Sequence, residues 1–201
     1  MKLIPIPWRD RALVILQECH PEPAERGEGP GEPHSWFSES ELAVIDSFSL
    51  PKRRDEWILS RIAAKQLALD RGICTDPREC TIDQRRIGRW HVSLSHSGPY
   101  AGAAIDDEPV GIDVQVVREL RESAGHLFMT ESEVEAMQAC ALPHRLLHFW
   151  CAKEAAWKQQ GGAIPTLKRI PLVLLSATDS GLRFSGVETV AIGDLIVALT
   201  V

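Results

Sequence analysis

The chain has 201 residues, 44% of them hydrophobic and 25% charged, and a formal net charge of −6. That is an ordinary globular composition, long enough for one large domain or two small halves sharing a core. The acidic balance argues against broad nucleic-acid binding, which needs a basic surface, and no run of about 18 apolar residues exists to span a membrane. The N-terminal stretch Met1–Trp8 is broken by Pro5 and Pro7 and soon reaches Arg9 and Asp10. It lacks the continuous apolar core of a signal peptide, so a cytoplasmic setting is expected. Cys19, Cys74, Cys80, Cys140 and Cys151 are scattered and form no CxxC pair. All five are expected to be reduced, with no zinc site or disulfide framework.

In chain order, Ala12 to Gln17 reads as a strand, and residues 20–34 are rich in proline, glycine and acids. Such a segment buries little and reads as a mobile loop. Ser38 and Glu41 have the spacing of a capping box before Leu42, Val44 and Ile45, which predicts a helix start. After Pro51 a longer helix runs from about Lys52 to Asp70, with Trp57, Ile58, Ile62, Leu67 and Leu69 as its apolar positions and Gly72 as its stop. His91–Ser95 and Tyr100–Ile105 read as strands joined at Gly98-Pro99, and Val110–Val116 as a third after the turn at 106–109. Thr130 and Glu133 repeat the capping-box spacing and open a short helix to about Ala141. Pro143 is expected to begin a long helix that Gly161-Gly162 closes. Strands at 172–177, 182–184 and 195–201 finish the chain. Each half thus holds one long helix and several strands. This permits two similar α+β halves, at 1–105 and 106–201, although no sequence repeat is visible.

Three segments carry candidate chemistry. In Val110-Gly111-Ile112-Asp113-Val114-Gln115, alternation places Gly111, Asp113 and Gln115 on one face. A carboxylate in a sheet needs a partner. A hard cation such as Mg²⁺ would serve, and so would an arginine or the exposed end of a strand. In Phe149-Trp150-Cys151-Ala152-Lys153-Glu154-Ala155-Ala156-Trp157-Lys158, two lysines flank one acid beside an apolar stripe formed by Leu146, Phe149, Trp150 and Trp157. That arrangement suits a metal-bridged pyrophosphate. It equally describes a snorkelling lysine beside a surface Glu–Lys pair. In Ser93-Leu94-Ser95-His96-Ser97, His96 reads as a phosphate donor, a buried structural histidine, or the base of a Ser95–His96–Asp113 hydrolase. The last lacks a GxSxG elbow. Basic residues gather at Lys52, Arg53, Arg54, Arg61 and Lys65, and again at Arg85, Arg86 and Arg89, either as solvated faces or as phosphate ligands.

The order of these segments resembles the 4′-phosphopantetheinyl transferases, in particular the long, monomeric type that activates nonribosomal peptide and polyketide synthases. The resemblance spans about residues 50–170. It implies a pseudo-twofold pair of α+β subdomains with coenzyme A in the cleft between them. It implies transfer of 4′-phosphopantetheine from coenzyme A to a serine of an apo acyl or peptidyl carrier protein, with release of adenosine 3′,5′-bisphosphate. Asp113 and Glu154 would hold Mg²⁺, or Mn²⁺ in its place, and Glu154 would act as or orient the base. Lys153 and Lys158 would neutralise phosphate charge. Ser95 and His96 would contact coenzyme A phosphates, and Arg61 with Arg53 or Arg54 would hold the 3′-phosphate region. The implied enzyme is a cytoplasmic monomer with no nucleic-acid or membrane partner. Two departures stand out. Gln115 occupies the position where many relatives have a third acidic ligand, so it is a doubtful metal ligand. Gly88-Arg89-Trp90 stands where a Gly-Lys-Pro motif is common. A homologue that binds coenzyme A or a carrier but transfers poorly is therefore the competing reading. Leu127, Phe128 and Met129 are candidates for carrier contact or for core.

Overall fold

Two capping boxes, one long helix behind each, and strands whose inner members at Tyr100–Asp106 and Leu195–Thr200 are buried almost throughout generate the same local architecture twice. The computed structural model describes residues 2–8, 10–16 and 35–201. Gln17, Cys19 and the segment 20–34 lie outside the described residues. The chain divides into two compact units, Met1–Glu108 and Pro109–Val201. Both are α+β.

In the first unit, strands β1 (Lys2–Ile4), β2 (Ala12–Leu16), β3 (Arg86–Ile87), β4 (Trp90–Ser97) and β5 (Tyr100–Asp106) form an antiparallel sheet in the order β1-β2-β5-β4-β3. Helix α1 (Glu39–Ser47) begins at the Ser38 capping box as its sequence predicts. Helix α2 (Pro51–Asp70) packs on β5, β4 and β2. Its buried face is narrower and smaller than the aromatic and branched residues suggested. Leu59, Ala63, Ala64, Leu67 and Ala68 form it, and they meet Ile15, Val92, Ala101, Ala103 and Ile105. Trp57 and Ile58 are only half-buried. Alanines on both helix and strand allow close approach.

In the second unit, β6 (Ile112–Val116), β7 (Leu174–Ala177), β8 (Leu182–Phe184), β9 (Val187–Ile192) and β10 (Leu195–Thr200) form a second antiparallel sheet in the order β6-β10-β9-β8-β7. Helices α3 (Gly125–Phe128) and α4 (Glu131–Ala139) precede α5 (Arg145–Gln159), which packs on β10, β6 and β9. The Thr130 capping box is formed. Helix α5 starts two residues later than Pro143 suggested, because His144 adopts a left-handed conformation at φ 54° and caps it. Strands β1, β3 and β9 were not anticipated. β9 carries Glu188 and Thr189 among its valines, which obscures its apolar pattern.

One cysteine expectation is overturned. Cys74 and Cys80 are joined in a disulfide, because the turn through Asp76-Pro77-Arg78 brings their Cα atoms to 6.2 Å, within bridging range. Cys140 and Cys151 are free and buried, as packing residues should be.

Candidate active site

Asp113 lies in β6 opposite Ala198 of β10 and is 2% exposed. Its Oδ1 accepts a hydrogen bond from Lys158 Nζ at 2.7 Å, and its Oδ2 accepts one from Gln115 Nε2 at 2.9 Å. Lys158 also donates to the Ile112 carbonyl at 3.0 Å. Glu154 stands one turn before Lys158 on α5 and is half-buried. Burial pushes its carboxyl above the usual range, the Asp113 carboxylate adds to that, and Lys158 opposes it. Asp113, Glu154 and Lys158 therefore share one electrostatic environment. Two acids and one ammonium are brought together from motifs some forty residues apart.

Helix α5 is held against β6 closely enough to fix this trio. A Cβ on Gly111 would sit 1.9 Å from the Ala155 carbonyl oxygen and 2.9 Å from Gln159 N. The glycine is required by close backbone approach. Gly111 N donates to Thr200 Oγ1 at 2.9 Å, and Thr200 N returns a bond to the Gly111 carbonyl at 3.0 Å. On the same face of α5, the Cys151 thiol reaches the carbonyls of Asp113 and Ile196 at 3.4 and 3.5 Å. Burial raises that thiol well above its usual range, so it is an inert packing group.

Lys153 does not join the trio. Adjacent residues on a helix diverge, and Lys153 is fully buried on another face. Its ammonium donates to Glu133 Oε1 at 2.7 Å and to the Ile170 carbonyl. Glu133 is also the capping acid of α4, and its Oε1 accepts from Leu172 N at 2.8 Å. The expectation that Lys153 contacts coenzyme A is replaced by a core ion pair that ties α4, α5 and the 170–172 segment together. Burial lowers the Lys153 pKa and the Glu133 contacts oppose that.

In the first unit, Ser95 and His96 project from opposite faces of β4. Ser95 is 5% exposed, whereas the His96 side chain is 40% exposed and lies 3.7 Å from Glu56 of α2. Neighbouring strand residues cannot serve as nucleophile and base for each other, so the hydrolase arrangement fails on local geometry. Nor do their side chains address the same surroundings. Arg61 is stacked 3.7 Å above the centre of the Trp57 ring, and Phe37 and Phe48 pack on that ring. Burial pulls the Arg61 pKa down to about 10, with Glu41 opposing. Arg54 is exposed on the first turn of α2. The role of Trp57 as a platform for Arg61 escaped sequence reasoning; their i, i+4 spacing was the available signal.

Among the described residues no group of three His, Cys, Asp or Glu side chains is placed to hold a metal. The pair Asp113 and Glu154 supplies hard oxygen donors, and their mutual repulsion is what a divalent cation relieves. Gln115 turns its amide nitrogen to Asp113, so here it orients that carboxylate as a donor.

Residues 109–191 match the family model of the 4′-phosphopantetheinyl transferase superfamily. The resemblance read from the motifs is borne out over this stretch, which contains the whole trio. Two curated relatives agree. The chain is similar to the 4′-phosphopantetheinyl transferase psf-1 of Bacillus pumilus, with 31% identity over 83 residues, 40% of this chain and 36% of that protein. It is also similar to the 4′-phosphopantetheinyl transferase Sfp of Bacillus subtilis (strain 168), with 28% identity over 74 residues, 35% of this chain and 33% of that protein. The matched region spans about a third of the length of these relatives. No helix among the described residues is long and apolar enough to cross a membrane.

Proposed function

We propose that this protein transfers 4′-phosphopantetheine from coenzyme A to a serine hydroxyl of an apo acyl or peptidyl carrier protein. The observation that carries the reading is the Asp113–Lys158–Glu154 constellation, built on β6 and α5 inside the stretch that matches the superfamily. The serine oxygen forms a bond to the pantetheine-side phosphorus of the pyrophosphate as the phosphoanhydride bond breaks. Adenosine 3′,5′-bisphosphate leaves with the electron pair. Glu154 takes the serine proton, and its raised proton affinity suits that task. Lys158, already anchored by Asp113 and the Ile112 carbonyl, presents a fixed positive charge to the phosphate oxygens that gain charge. Asp113 and Glu154 would hold Mg²⁺, which supplies charge neutralisation on the pyrophosphate. Gln115 keeps Asp113 oriented for that role.

Coenzyme A phosphates are assigned to His96, Arg61 and the Arg53–Arg54 turn; the Ser95 side chain, buried on the other face of β4, is left out of that assignment. Of the three apolar residues considered for carrier contact, Phe128 and Met129 are core and Leu127 is 80% exposed. Leu127 is therefore the one assigned to the carrier. The reading places a monomer in the cytoplasm.

The test is the intact mass of an apo carrier protein after incubation with this protein, coenzyme A and Mg²⁺, with and without EDTA. A phosphopantetheine increment that EDTA abolishes is expected. Binding of coenzyme A without any increment, across fatty-acid and peptidyl carriers, would instead establish a binding homologue. In that case Gln115→Glu should be asked to restore transfer.

A further inference from the structure

Cys74 and Cys80 close a loop of sequence separation 6 directly after α2. Cys80 is fully buried in the core of the first unit, whereas Cys74 is half-buried and Thr75, Arg78 and Glu79 beside it are exposed. The bond can be approached from the Cys74 side. Inside the loop, Arg78 N donates to Asp76 Oδ1 at 2.8 Å, Glu79 N to the Asp76 carbonyl at 3.1 Å and Cys80 N to the Pro77 carbonyl at 3.2 Å. These bonds give the turn its shape and not its place. Its place is set by the disulfide and by Lys65, whose fully buried ammonium donates to the Pro77 carbonyl at 2.7 Å and to Glu41 Oε2 at 2.8 Å.

The second unit ties its equivalent segment differently. There Lys153 meets the Ile170 carbonyl, and Leu172 N adds a bond to the same acid, Glu133. Among the described residues no backbone N–H of 74–80 donates to Glu41, so the first unit has a disulfide where the second has that bond. A buried ammonium that loses a carbonyl partner is left under-solvated, so the turn and Lys65 respond together. Arg61, one turn earlier on α2, is under the influence of the same Glu41. The proposed function places the protein in the cytoplasm, where thiol buffers keep most cysteines reduced and a disulfide is usually transient or redox-sensing. Resting on that reading, we propose that Cys74–Cys80 is a redox latch: a dithiol reductant opens it, frees the 74–80 turn from Lys65 and loosens the first unit, and reoxidation closes it. One thiolate of the reductant attacks the Cys74 sulfur, the S–S bond breaks, and Cys80 leaves as a thiolate and takes a proton. The second thiol then displaces Cys74. The protein gains two electrons and two protons as the reductant becomes a disulfide.

The experiment treats the native protein with dithiothreitol, alkylates it with iodoacetamide and maps the labels by peptide mass. Both Cys74 and Cys80 should become labelled without denaturant, and oxidised glutathione should reverse this. Hydrogen exchange should rise in 74–82 and around Lys65 but not in α5. The thermal midpoint should fall by about 5–10 °C, the loss expected when so short a loop is no longer closed. Cys74→Ser combined with Cys80→Ala should reproduce the reduced protein and ignore dithiothreitol. Should that variant not fold, reduction of the wild type still decides the matter. A bond that yields only after denaturation is a permanent staple. An opened bond with unchanged exchange and midpoint carries no signal. Cysteines that stay open to alkylation after oxidation never form the latch, and exchange rising equally in α5 marks general unfolding. Each of these four results overturns the proposal. Carrier modification enters none of these measurements, so its failure would overturn the transferase reading and leave the latch standing.

Discussion

Glu154 and Lys153 are neighbours in sequence, and their fates show what a single residue's type does and does not reveal. Both were candidates for the site, and each suits phosphate chemistry equally well on paper. The structure turns Glu154 toward Asp113 and Lys153 toward Glu133, because a step of one residue on a helix is a rotation of about 100°. The pairing of Lys153 was unreadable because its acid lies on another helix. Glu154→Gln should reduce carrier modification by at least about a hundredfold while leaving the thermal midpoint nearly unchanged, since the side chain keeps its size. Mass spectrometry of the carrier and a melting curve check the two halves of that statement. His148 makes a second residue-scale argument. It is fully buried, and its Nδ1 lies 2.8 Å from Thr189 Oγ1. That hydroxyl donates to the Leu182 carbonyl, so Nδ1 carries the proton toward it, and Nε2 has no partner among the described residues. Burial, with His144 adding to it, lowers the His148 pKa to about 4 from 6.5. The neutral ring is the native form. Its contribution is complete above pH 6.5 and is lost as pH falls from there toward 4, an upper figure of about 3 kcal/mol. Urea midpoints at pH 7.5, 6 and 5 should fall accordingly, and His148→Leu should flatten that decline.

At the scale of elements, the helix starts were legible and the strand–helix contact was not. Ser38 and Thr130 announce α1 and α4 because capping boxes are local chemistry. The face of α2 was misread because its contact is made by alanines, which carry little hydrophobic signal, while Trp57 serves Arg61. Gly111 was legible as part of a motif, but its reason appears only when α5 lies against it. Gly111→Ala places a methyl group 1.9 Å from the Ala155 carbonyl oxygen, so α5 must move. Overpacking of this kind costs about 1–3 kcal/mol. It should cost more in rate, about a hundredfold for a displacement near 1 Å, because Glu154 and Lys158 ride on the helix that shifts. The measurement is a comparison of melting midpoint with carrier modification for the same variant. Full activity would mean that α5 does not fix the trio.

At the scale of the whole molecule, the two units share more than a fold class. The strand order β2-β5-β4-β3 of the first corresponds to β6-β10-β9-β8 of the second. In each, a buried lysine on the long helix pairs with the capping-box acid of the preceding helix, Lys65 with Glu41 at 2.8 Å and Lys153 with Glu133 at 2.7 Å. Each ammonium also meets a backbone carbonyl further along the chain, that of Pro77 or of Ile170. The duplication was invisible in sequence because its shared feature is a long-range ion pair, while the surrounding side chains have diverged. Aligning the two lysines places Gln66 opposite Glu154 and Asp70 opposite Lys158, and β2 contains no acid at all. The repeat has kept the anchor and not the chemistry. Removing one partner of a buried pair leaves the other charge uncompensated, at about 3–5 kcal/mol. Lys65→Met and Lys153→Met should therefore destabilise the protein alike. Gln66→Ala and Asp70→Ala should leave carrier modification within about twofold of wild type, since each removes only one side of an exposed hydrogen bond between them. The corresponding Glu154→Ala and Lys158→Ala should abolish it. A loss of transfer in the first pair at unchanged stability would show that the first unit contributes chemistry from its own copy of the site.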